Sequence, residues 1–405
     1  MRPATGFLAY AAMAAFTAPL TQNAAADTVR IGIMMPYSGV NADQGDLMDK
    51  AIDLFVKLNG NMVGPHRIEL LKRDEGPPSG ANARTVATEL ITRDKVQMIG
   101  GAGFSPSAIA MAPVITRAKV PLLIANAGTA WITNLSPYIA RLSFSMWHTG
   151  YPMGTYAVKN LGCKTAAMGY TDFPPGKDST DAFKAGFEGA GGKVIDSLPM
   201  GNPNQVPDYT PFFERVKNER PDCFYVFIPS GAHASGVVRT YGELGMRQAG
   251  IKLIGPQDVT PDSRLQGMGD AAIGTVTMGS YSNDLDNPVN RTFVKAWHEA
   301  YGPDNSPDFQ AAANWDVMQA IYDTVKKLDG KLDDGAKVMA ALKGWTGNGP
   351  RGTVTIDPDT RDVVQDEHAF EVIRKPDGKL GHKVLGTIER VKDECKVEKI
   401  GRCGQ

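Results

Sequence analysis

The chain has 405 residues, and its 43 Lys and Arg residues nearly balance 44 Asp and Glu residues, for a formal net charge of −1. Such a balance gives no strongly positive surface for the phosphates of nucleic acids or for an anionic membrane, so neither is expected as a partner. The length exceeds what one hydrophobic core usually covers, and two domains are therefore expected.

The first 26 residues have the pattern of a secretory signal peptide. Arg2 supplies a positive charge, residues 7–20 are largely apolar, and residues 24–26 are alanines suited to cleavage before Asp27. We expect cleavage after Ala26 and export of the mature protein. The residue directly after the cleavage point is Asp27 and not a cysteine, so no lipid anchor is expected. No later segment reaches the roughly 20 apolar residues of a membrane helix, so membrane insertion is not expected.

Two successive runs of the chain alternate between short apolar stretches and segments with helical spacing of apolar residues. In the first run, strands are predicted at 28–34, 68–73, 96–100 and 121–125, with helices at 46–59, 81–94 and 105–118. In the second run, strands are predicted at 165–170, 193–199, 223–228 and 251–255, with helices at 179–189, 209–219 and 234–244. This alternation predicts an α/β fold with two doubly wound, Rossmann-like lobes.

Three segments are predicted to connect the two lobes as a three-stranded hinge: 141–149, 278–284 and the Gly-rich stretch 347–352. Helices predicted at 288–301 and 309–328 return to the first lobe. The expected domains are thus the signal peptide at 1–26, an N-terminal lobe of 27–145 plus 282–349, and a C-terminal lobe of 146–281 plus 350–405.

The segment 96–131 brings two strand ends side by side. Each of its two predicted strands is followed by a turn of small residues, and parallel strands place such turns at the same edge of a sheet. The hydroxyls and backbone N–H groups that converge there belong to Ser105, Ser107, Ala127 and Thr129. A helix also begins at this point, which favours an anion. The alternative is a structural turn that binds no ligand.

Other kinds of site have little support in the sequence. Gly101 and Gly103 begin a dinucleotide-binding pattern, but Pro106 stands where its third glycine is needed. Ser105 lacks the second glycine that flanks a hydrolase nucleophile, and the six histidines have no metal-ligand spacing. We therefore expect no enzyme, no metal site and no cofactor.

The four cysteines suggest disulfides, because the chain is expected to be exported. Cys395 and Cys403 frame a short polar tail that a bridge would close. Cys163 and Cys223 each precede an apolar run, so they are candidates for the starts of neighbouring parallel strands. Four buried or free thiols remain the alternative.

A series of motifs spans nearly the whole mature chain in this order: VRIGIMMPYSG, VQMIGGAGFS, PLLIANAGT, KDSTDAFKAGFEGAGGKV, IGPQD and FQAAANWDVMQAI. Their order and spacing resemble those of the leucine/isoleucine/valine-binding family of periplasmic solute-binding proteins, which implies export of the mature chain to the periplasm. The resemblance implies a type I periplasmic binding protein, in which two lobes close on a solute and deliver it to a membrane ABC permease.

The half of the family's site that binds a ligand carboxylate is kept. Ser105 matches the serine at the helix start, and Ala127 and Thr129 match the Ala-x-Thr element that completes the clamp. The resemblance therefore implies that these three residues, with nearby backbone N–H groups, hold a carboxylate.

The half of the site that binds an α-ammonium group is changed. Gln257 stands where amino-acid binders have a glutamate, with Asp258 beside it, and Gln44 replaces an aromatic residue. A tyrosine of the second lobe is replaced by Pro175, and another by Pro229 or Ser230. A buried ammonium without an anionic partner costs several kcal/mol, so the ligand is expected to lack one unless Asp258 faces the site.

Aromatic side chains are expected at the mouth of the cleft, where rings stack on ring-containing ligands. The candidates are Phe104, Trp147, Tyr170, Phe173 and Phe309, with His148 as a partner for a phenol. The alternative is that Tyr170 and Phe309 fill lobe cores and that His148 faces solvent.

These observations predict a small carboxylate as the ligand, with an aromatic acid of the hydroxybenzoate or hydroxycinnamate type favoured. A branched-chain or other hydrophobic amino acid is the alternative solute. A ligand-sensing protein that reports to a membrane receptor is the alternative role, because the same bilobal fold serves both.

Overall fold

The computed structural model describes Met1 and residues 27–404, so the predicted signal peptide and its cleavage site lie outside the described residues apart from Met1. Two β-sheets organise the described chain, one of six strands and one of nine. Helices cover the faces of both sheets, and the predicted α/β class with two doubly wound lobes is confirmed.

The first sheet has the order β2-β3-β1-β4-β5-β6, and its strands run parallel except for the short β2. Its strands are β1 Thr28–Met35, β2 Met62–Val63, β3 His66–Asp74, β4 Met98–Gly101, β5 Leu122–Ile124 and β6 Ile139–Arg141. The helices between them are α1 Ala42–Asn59, α2 Ala81–Thr92 and α3 Ser105–Ala118, followed by a 3-10 turn at Ala130–Leu135. Buried residues almost fill β1, as expected of a central parallel strand.

The second sheet has the order β12-β13-β14-β11-β10-β9-β7-β8, with β15 paired to β14. Its strands are β7 Thr165–Tyr170, β8 Lys193–Pro199, β9 Cys223–Phe227, β10 Lys252–Pro256, β11 Val276–Gly279, β12 Thr346–Gly349, β13 Gly352–Ile356, β14 Val363–Arg374 and β15 Leu380–Val391. The helices before and between its first strands are α4 Met146–Lys159, α5 Pro174–Gly189, α6 Thr210–Glu219, α7 Ala232–Glu243 and α8 Asp262–Met268.

Later helices return to the first sheet or close the chain. They are α9 Pro288–Tyr301, α10 Phe309–Lys327, α11 Gly335–Leu342 and α12 Glu394–Val397. Residues of α10 share a core with β1 and α1. Val354 and Ile356 of β13 and Val363 of β14 pack in this same core, although β13 and β14 are hydrogen-bonded into the second sheet, so the chain leaves the first lobe only after Val363. The exact domain limits stay a prediction.

Two predicted hinge segments have a different structure. Residues 146–149 begin α4, because Ser145 caps the helix: its hydroxyl accepts a hydrogen bond from the Trp147 N–H, while His148 Nδ1 accepts one from the Ser145 N–H. The Gly-rich stretch 347–352 is the hairpin between β12 and β13, and Gly352 has a φ of 91°. The third crossing instead follows β13.

The cysteines form two disulfides, Cys163–Cys223 and Cys395–Cys403. The first joins the beginnings of the paired parallel strands β7 and β9, as the sequence suggested. The second closes the C-terminal loop that contains α12.

Candidate functional site

A narrow cavity lies between the two sheets, where the carboxyl ends of their parallel strands face each other. Its lining comes from residues that follow β4 and β5 in the first sheet and β7, β9 and β10 in the second. The lining residues are Gln44, Gly103, Phe104, Ser105, Asn126, Ala127, Gly128, Phe144, Met146, Phe173, Pro175, Phe227, Pro229 and Asp258. This is the position at which open α/β sheets bind ligands.

The first-lobe end of the cavity, which we call the clamp end, consists of Ser105 and the loop 127–130. Helix α3 begins at Ser105, so its free N–H groups and positive dipole end point at this spot. Ser105 Oγ accepts a hydrogen bond from the Thr129 N–H at 3.1 Å. Ser105 and Ala127 line the cavity as predicted, whereas Thr129 lies behind them, fully buried.

The backbone of the clamp end differs in detail from the prediction. The Ala127 N–H donates to the Ala102 carbonyl at 2.9 Å, so it is not available to a ligand in this arrangement. Gly128 lines the cavity instead. A side chain there would be crowded, because an added Cβ would lie 2.3 Å from Met146 Cε. Gly128 occupies the middle position of the Ala-x-Thr element, and no other feature of the sequence indicated that it lines the cavity.

Two buried side chains hold the loop 127–130 from behind. The Arg141 guanidinium donates to the carbonyls of Ala127, Thr129 and Ala130 at 3.0, 2.8 and 2.9 Å. Asp178 of α5 accepts the Ala130 N–H at 2.7 Å and the Trp147 indole N–H at 3.0 Å. Burial raises the pKa of Asp178 to about 7.

Glu75 is a further buried carboxyl beside the clamp end. It is fully buried near Gly103, whose added Cβ would lie 2.7 Å from Glu75 Oε1. Burial raises the pKa of Glu75 well above its usual value. Burial therefore disfavours a negative charge on Glu75 beside the clamp end.

The opposite end of the cavity, which we call the acid end, is formed by Asp258 and Gln44. Asp258 is buried, and its Oδ2 has no hydrogen-bond partner among residues 27–404. Burial raises the pKa of Asp258 to about 7, and the nearby Asp308 adds to the rise. The Gln44 amide donates to the Ser230 carbonyl at 3.1 Å and accepts from Gln310 Nε2 at 2.9 Å. The acid end therefore offers one unpaired carboxyl oxygen, Asp258 Oδ2, to a ligand.

Rings form the walls between the two ends. Phe173 of the second lobe stacks on Phe227 with ring centroids 6.0 Å apart. Phe104 and Phe144 line the cavity from the first lobe and the first hinge crossing, and Met146 lies beside them. Such walls suit a flat apolar group. Of these rings, Phe104 and Phe173 were predicted from the sequence. Phe144 and Phe227 were not, although Phe227 ends a strand at the sheet edge where ligands bind.

Six other predicted site residues lie outside the cavity lining. Trp147 is bound to Asp178 and packs against the C-terminal loop. His148 is fully buried and bonds to the Val363 carbonyl at 2.9 Å, and burial lowers its pKa. Ser230 contacts two lining residues: its carbonyl accepts a hydrogen bond from the Gln44 amide, and its hydroxyl donates one to the Asp258 carbonyl. Tyr170 and Phe309 pack in a hydrophobic core. Gln257 faces the neighbouring strand β11.

Gln257 is predicted to face the ligand, but its side chain turns away from the cavity. Its Oε1 accepts the Ser280 N–H at 3.0 Å, which turns the side chain toward the strand β11 and away from the cavity. The next residue, Asp258, points into the cavity instead. The cavity-lining group of the IGPQD turn is therefore a carboxyl, and Gln257 gives no reason for the ligand to lack an ammonium group.

The two lobes are in contact around the cavity. Arg264 of α8 forms an ion pair with Asp43 of α1, and the Asn41 side chain donates to the Pro203 carbonyl at 3.3 Å. The cavity volume is about 30 Å³, far below the roughly 300–1,000 Å³ of ordinary ligand pockets. A ring-containing ligand can therefore enter only when the lobes separate.

The only metal-like cluster within 27–404 joins Asp393 to Cys395 and Cys403, whose sulfurs are bonded to each other. None of the helices in this part of the chain combines the length and apolar character that a membrane crossing requires.

Comparisons with known proteins agree with this architecture. A curated relative named Leu/Ile/Val-binding protein homolog 6, from Brucella abortus, is 34% identical over 387 residues, covering 95% of this chain and 98% of the relative. A solute-binding protein of an ABC transporter from Rhodopseudomonas palustris BisB5, solved with 3,4-dihydroxybenzoic acid, is 38% identical, with a TM-score of 0.86 and coverage of 91% and 99%. Another from R. palustris, solved with 4-hydroxybenzoate, is 35% identical, with a TM-score of 0.87 and coverage of 92% and 100%.

Residues 28–378 match the family described as periplasmic binding protein. This match covers most of the chain, and the resemblance read from the sequence is confirmed. The chain belongs to the periplasmic binding protein family.

Proposed function

We propose that this protein is the periplasmic solute-binding component of an ABC uptake transporter and that it binds a hydroxylated aromatic carboxylate between its lobes. The observation that carries this proposal is the ring-walled cavity with a backbone clamp at one end and an unpaired carboxyl at the other. The two R. palustris proteins with hydroxylated benzoic acids bound support the same ligand class.

The ligand carboxylate binds at the clamp end in this proposal. Ser105 Oγ and the Gly128 N–H supply hydrogen bonds, and the first turn of α3 supplies a favourable dipole. Hydrogen bonds to a charged group are worth roughly 1.5–3 kcal/mol each. The clamp end therefore selects for a carboxylate, whatever the rest of the ligand is.

The ring lies between Phe104, Phe144, Phe173 and Phe227, and its hydroxyl meets Asp258. A carboxyl with a pKa of about 7 exists in both forms near neutral pH. It accepts the phenolic hydrogen when ionised and donates to the phenolic oxygen when neutral. Either arrangement satisfies the otherwise unpaired Oδ2.

A branched-chain or other hydrophobic amino acid is the second candidate solute, and the inward position of Asp258 favours it. An ionised Asp258 is a partner for an α-ammonium group. The four phenylalanine rings and the Leu/Ile/Val-binding relative are compatible with an aliphatic side chain.

A binding panel with competition tests the proposal. Thermal shift of the mature protein is measured with 4-hydroxybenzoate, 3,4-dihydroxybenzoate, 4-hydroxycinnamate, leucine and valine. A ligand at 100 times its dissociation constant stabilises the protein by about 2.7 kcal/mol. The proposal expects the hydroxylated acids to give the largest shifts and to stay bound in a tenfold excess of leucine. Displacement by micromolar leucine contradicts it in favour of an amino acid.

The transport role carries its own expectations. It requires cleavage after Ala26 and docking of the protein on a membrane permease. It also requires an open-to-closed movement of two lobes, 27–145 plus 282–349 and 146–281 plus 350–405. Loss of ligand uptake on deletion of the gene supports transport. Intact uptake together with a lost transcriptional response supports a sensor that reports to a membrane receptor.

A further inference from the structure

We propose that Arg141 is the positioning residue that makes the clamp end selective for a carboxylate, although it does not line the cavity. This inference rests on the proposed function, since it assigns the origin of carboxylate selectivity in the same site. Arg141 is fully buried at the end of β6. Its side chain crosses under the loop 127–130 and holds that loop from the side opposite the ligand.

The direction of the loop's N–H groups follows from its carbonyls. In a trans peptide, the carbonyl of one residue and the N–H of the next point in opposite directions. Arg141 binds the Thr129 carbonyl, and the Ala130 N–H on the other side of that peptide indeed donates to Asp178. Arg141 also binds the Ala127 carbonyl, so the Gly128 N–H is turned the opposite way, toward the cavity that Gly128 lines.

Arg141 is itself fixed by a buried charge cluster. Its Nε donates to Asp362 Oδ1 at 2.6 Å, and neither side chain is exposed. Lys396, from the C-terminal disulfide loop, contacts both Asp362 Oδ2 and Thr133 Oγ1. The planar, five-donor guanidinium can serve three carbonyls and a carboxylate at once, whereas an ammonium group cannot. The position of the Gly128 N–H therefore depends on an arginine at 141, with Lys396 as a support.

Arg351 provides a matched control within the same protein. It is equally buried, its Nε donates to Asp316 at 2.6 Å, and it binds the carbonyls of Leu142 and Ser143. Those carbonyls belong to the hinge crossing and not to the loop 127–130. A purely structural role predicts similar consequences for the loss of either guanidinium, whereas a positioning role does not.

The decisive comparison is between Arg141→Lys and Arg351→Lys. Calorimetry gives the affinity of each variant for 4-hydroxybenzoate and for the neutral 4-hydroxybenzamide. We expect Arg141→Lys to reduce the preference for the carboxylate about tenfold, because the clamp N–H loses its fixed direction. Arg351→Lys is expected to keep that preference at whatever stability it retains. An unchanged preference in a folded Arg141→Lys protein, or an equal fall in both variants, overturns the proposal.

A second readout needs no ligand. Amide hydrogen exchange across residues 127–131 should accelerate about tenfold in Arg141→Lys and stay unchanged in Arg351→Lys. If the wild-type protein binds neither aromatic compound, the proposed function fails, while this exchange experiment still decides the role of Arg141. Equal exchange in the two variants overturns that role.

Lys396→Met covers the case in which Arg141→Lys does not fold. The change keeps the buried stem of Lys396 and removes its contact with Asp362. It should reduce the carboxylate preference about threefold and accelerate exchange at residues 127–131. The control is Lys392→Met, which removes an exposed ammonium that pairs with Asp357 at 2.9 Å. Identical behaviour of the two lysine variants overturns the proposal.

Discussion

The two ends of the cavity recognise their targets by different physical means. At the clamp end, backbone N–H groups and one hydroxyl are held by a buried arginine and by the start of a helix. At the acid end, a single side chain, Asp258, stands unpaired in the lining. Backbone geometry survives most substitutions, whereas a side chain is replaced by one mutation. In the proposed function, the clamp end thus fixes the ligand class, and the acid end sets which member of the class is preferred.

The largest effect is expected at the clamp end. Ser105→Ala removes the hydroxyl that supports the Thr129 N–H and that faces the ligand. A charge-assisted hydrogen bond is worth roughly 1.5–3 kcal/mol, so the affinity for every carboxylate should fall about tenfold to a hundredfold. Calorimetry with both 4-hydroxybenzoate and benzoate measures it.

Ser107→Ala is the matched control for this change. Ser107 is buried in the same first turn of α3 and does not line the cavity. Its substitution should leave both affinities within about twofold. Equal losses in the two serine variants would show that the helix start, and not the Ser105 hydroxyl, carries the effect.

The next effect is expected at the acid end and concerns selectivity. Asp258→Asn should reduce the preference for 4-hydroxybenzoate over benzoate about tenfold, because it removes the carboxyl that meets the hydroxyl. At pH 6.5, where Asp258 with its raised pKa is mostly neutral, the affinity for benzoate itself should change little. Gln257→Glu is the control, since Gln257 faces Ser280 and not the cavity. A larger loss of hydroxyl preference in Gln257→Glu than in Asp258→Asn would reverse our assignment of the turn.

Binding should weaken as the pH rises through neutrality. Burial in the closed lobes raises the pKa of Asp258 to about 7, so closure takes up a proton near that pH. Above it, Asp258 is ionised and opposes closure over an anionic ligand. The titration of Asp258 alone should therefore increase the benzoate dissociation constant about fourfold from pH 6.5 to 8.5 at constant ionic strength.

The variant Asp258→Asn measures how much of this pH dependence comes from the acid end. The variant should lose part of the pH dependence of benzoate binding. Asp178 and Asp308, whose pKa values burial also raises to about 7, should supply the remainder. A wild-type affinity that is constant from pH 6.5 to 8.5 would contradict the raised pKa of Asp258.

The smallest effect is expected from the rim of the cleft. Arg264 and Asp43 form a partly exposed ion pair between the lobes, and exposed pairs contribute little. Arg264→Ala should weaken all ligands equally, by about twofold, and raise the radius of gyration of the liganded protein in small-angle scattering. Arg247→Ala, on the outer surface of the second lobe, should do neither.

The sequence predicted the clamp end better than the acid end, for a physical reason. Helix α3 runs over Ser105–Ala118 as predicted, because apolar periodicity and small residues after a strand define both the helix and its start. Whether Gln257 or Asp258 faces the cavity depends on the dihedral angles of a 3-10 turn, Gln257–Val259, and no periodicity reports those.

The aromatic residues illustrate the same limit. Trp147 follows the first hinge crossing in the sequence, yet the cap at Ser145 starts a helix that directs its indole to Asp178. Phe227 ends a fully buried strand, and its sequence alone does not distinguish a core residue from a cavity wall. Contacts between distant segments decide these cases, and local patterns do not contain them.

A crystal structure of the mature protein with 4-hydroxybenzoate tests the central claim most directly. The account predicts closed lobes, the ligand carboxylate within hydrogen-bonding distance of Ser105 Oγ and the Gly128 N–H, and the phenolic oxygen within hydrogen-bonding distance of Asp258. A ligand bound in the reverse direction, or a phenolic oxygen with no contact to Asp258, would contradict the proposal that the clamp end binds the carboxylate and the acid end binds the hydroxyl.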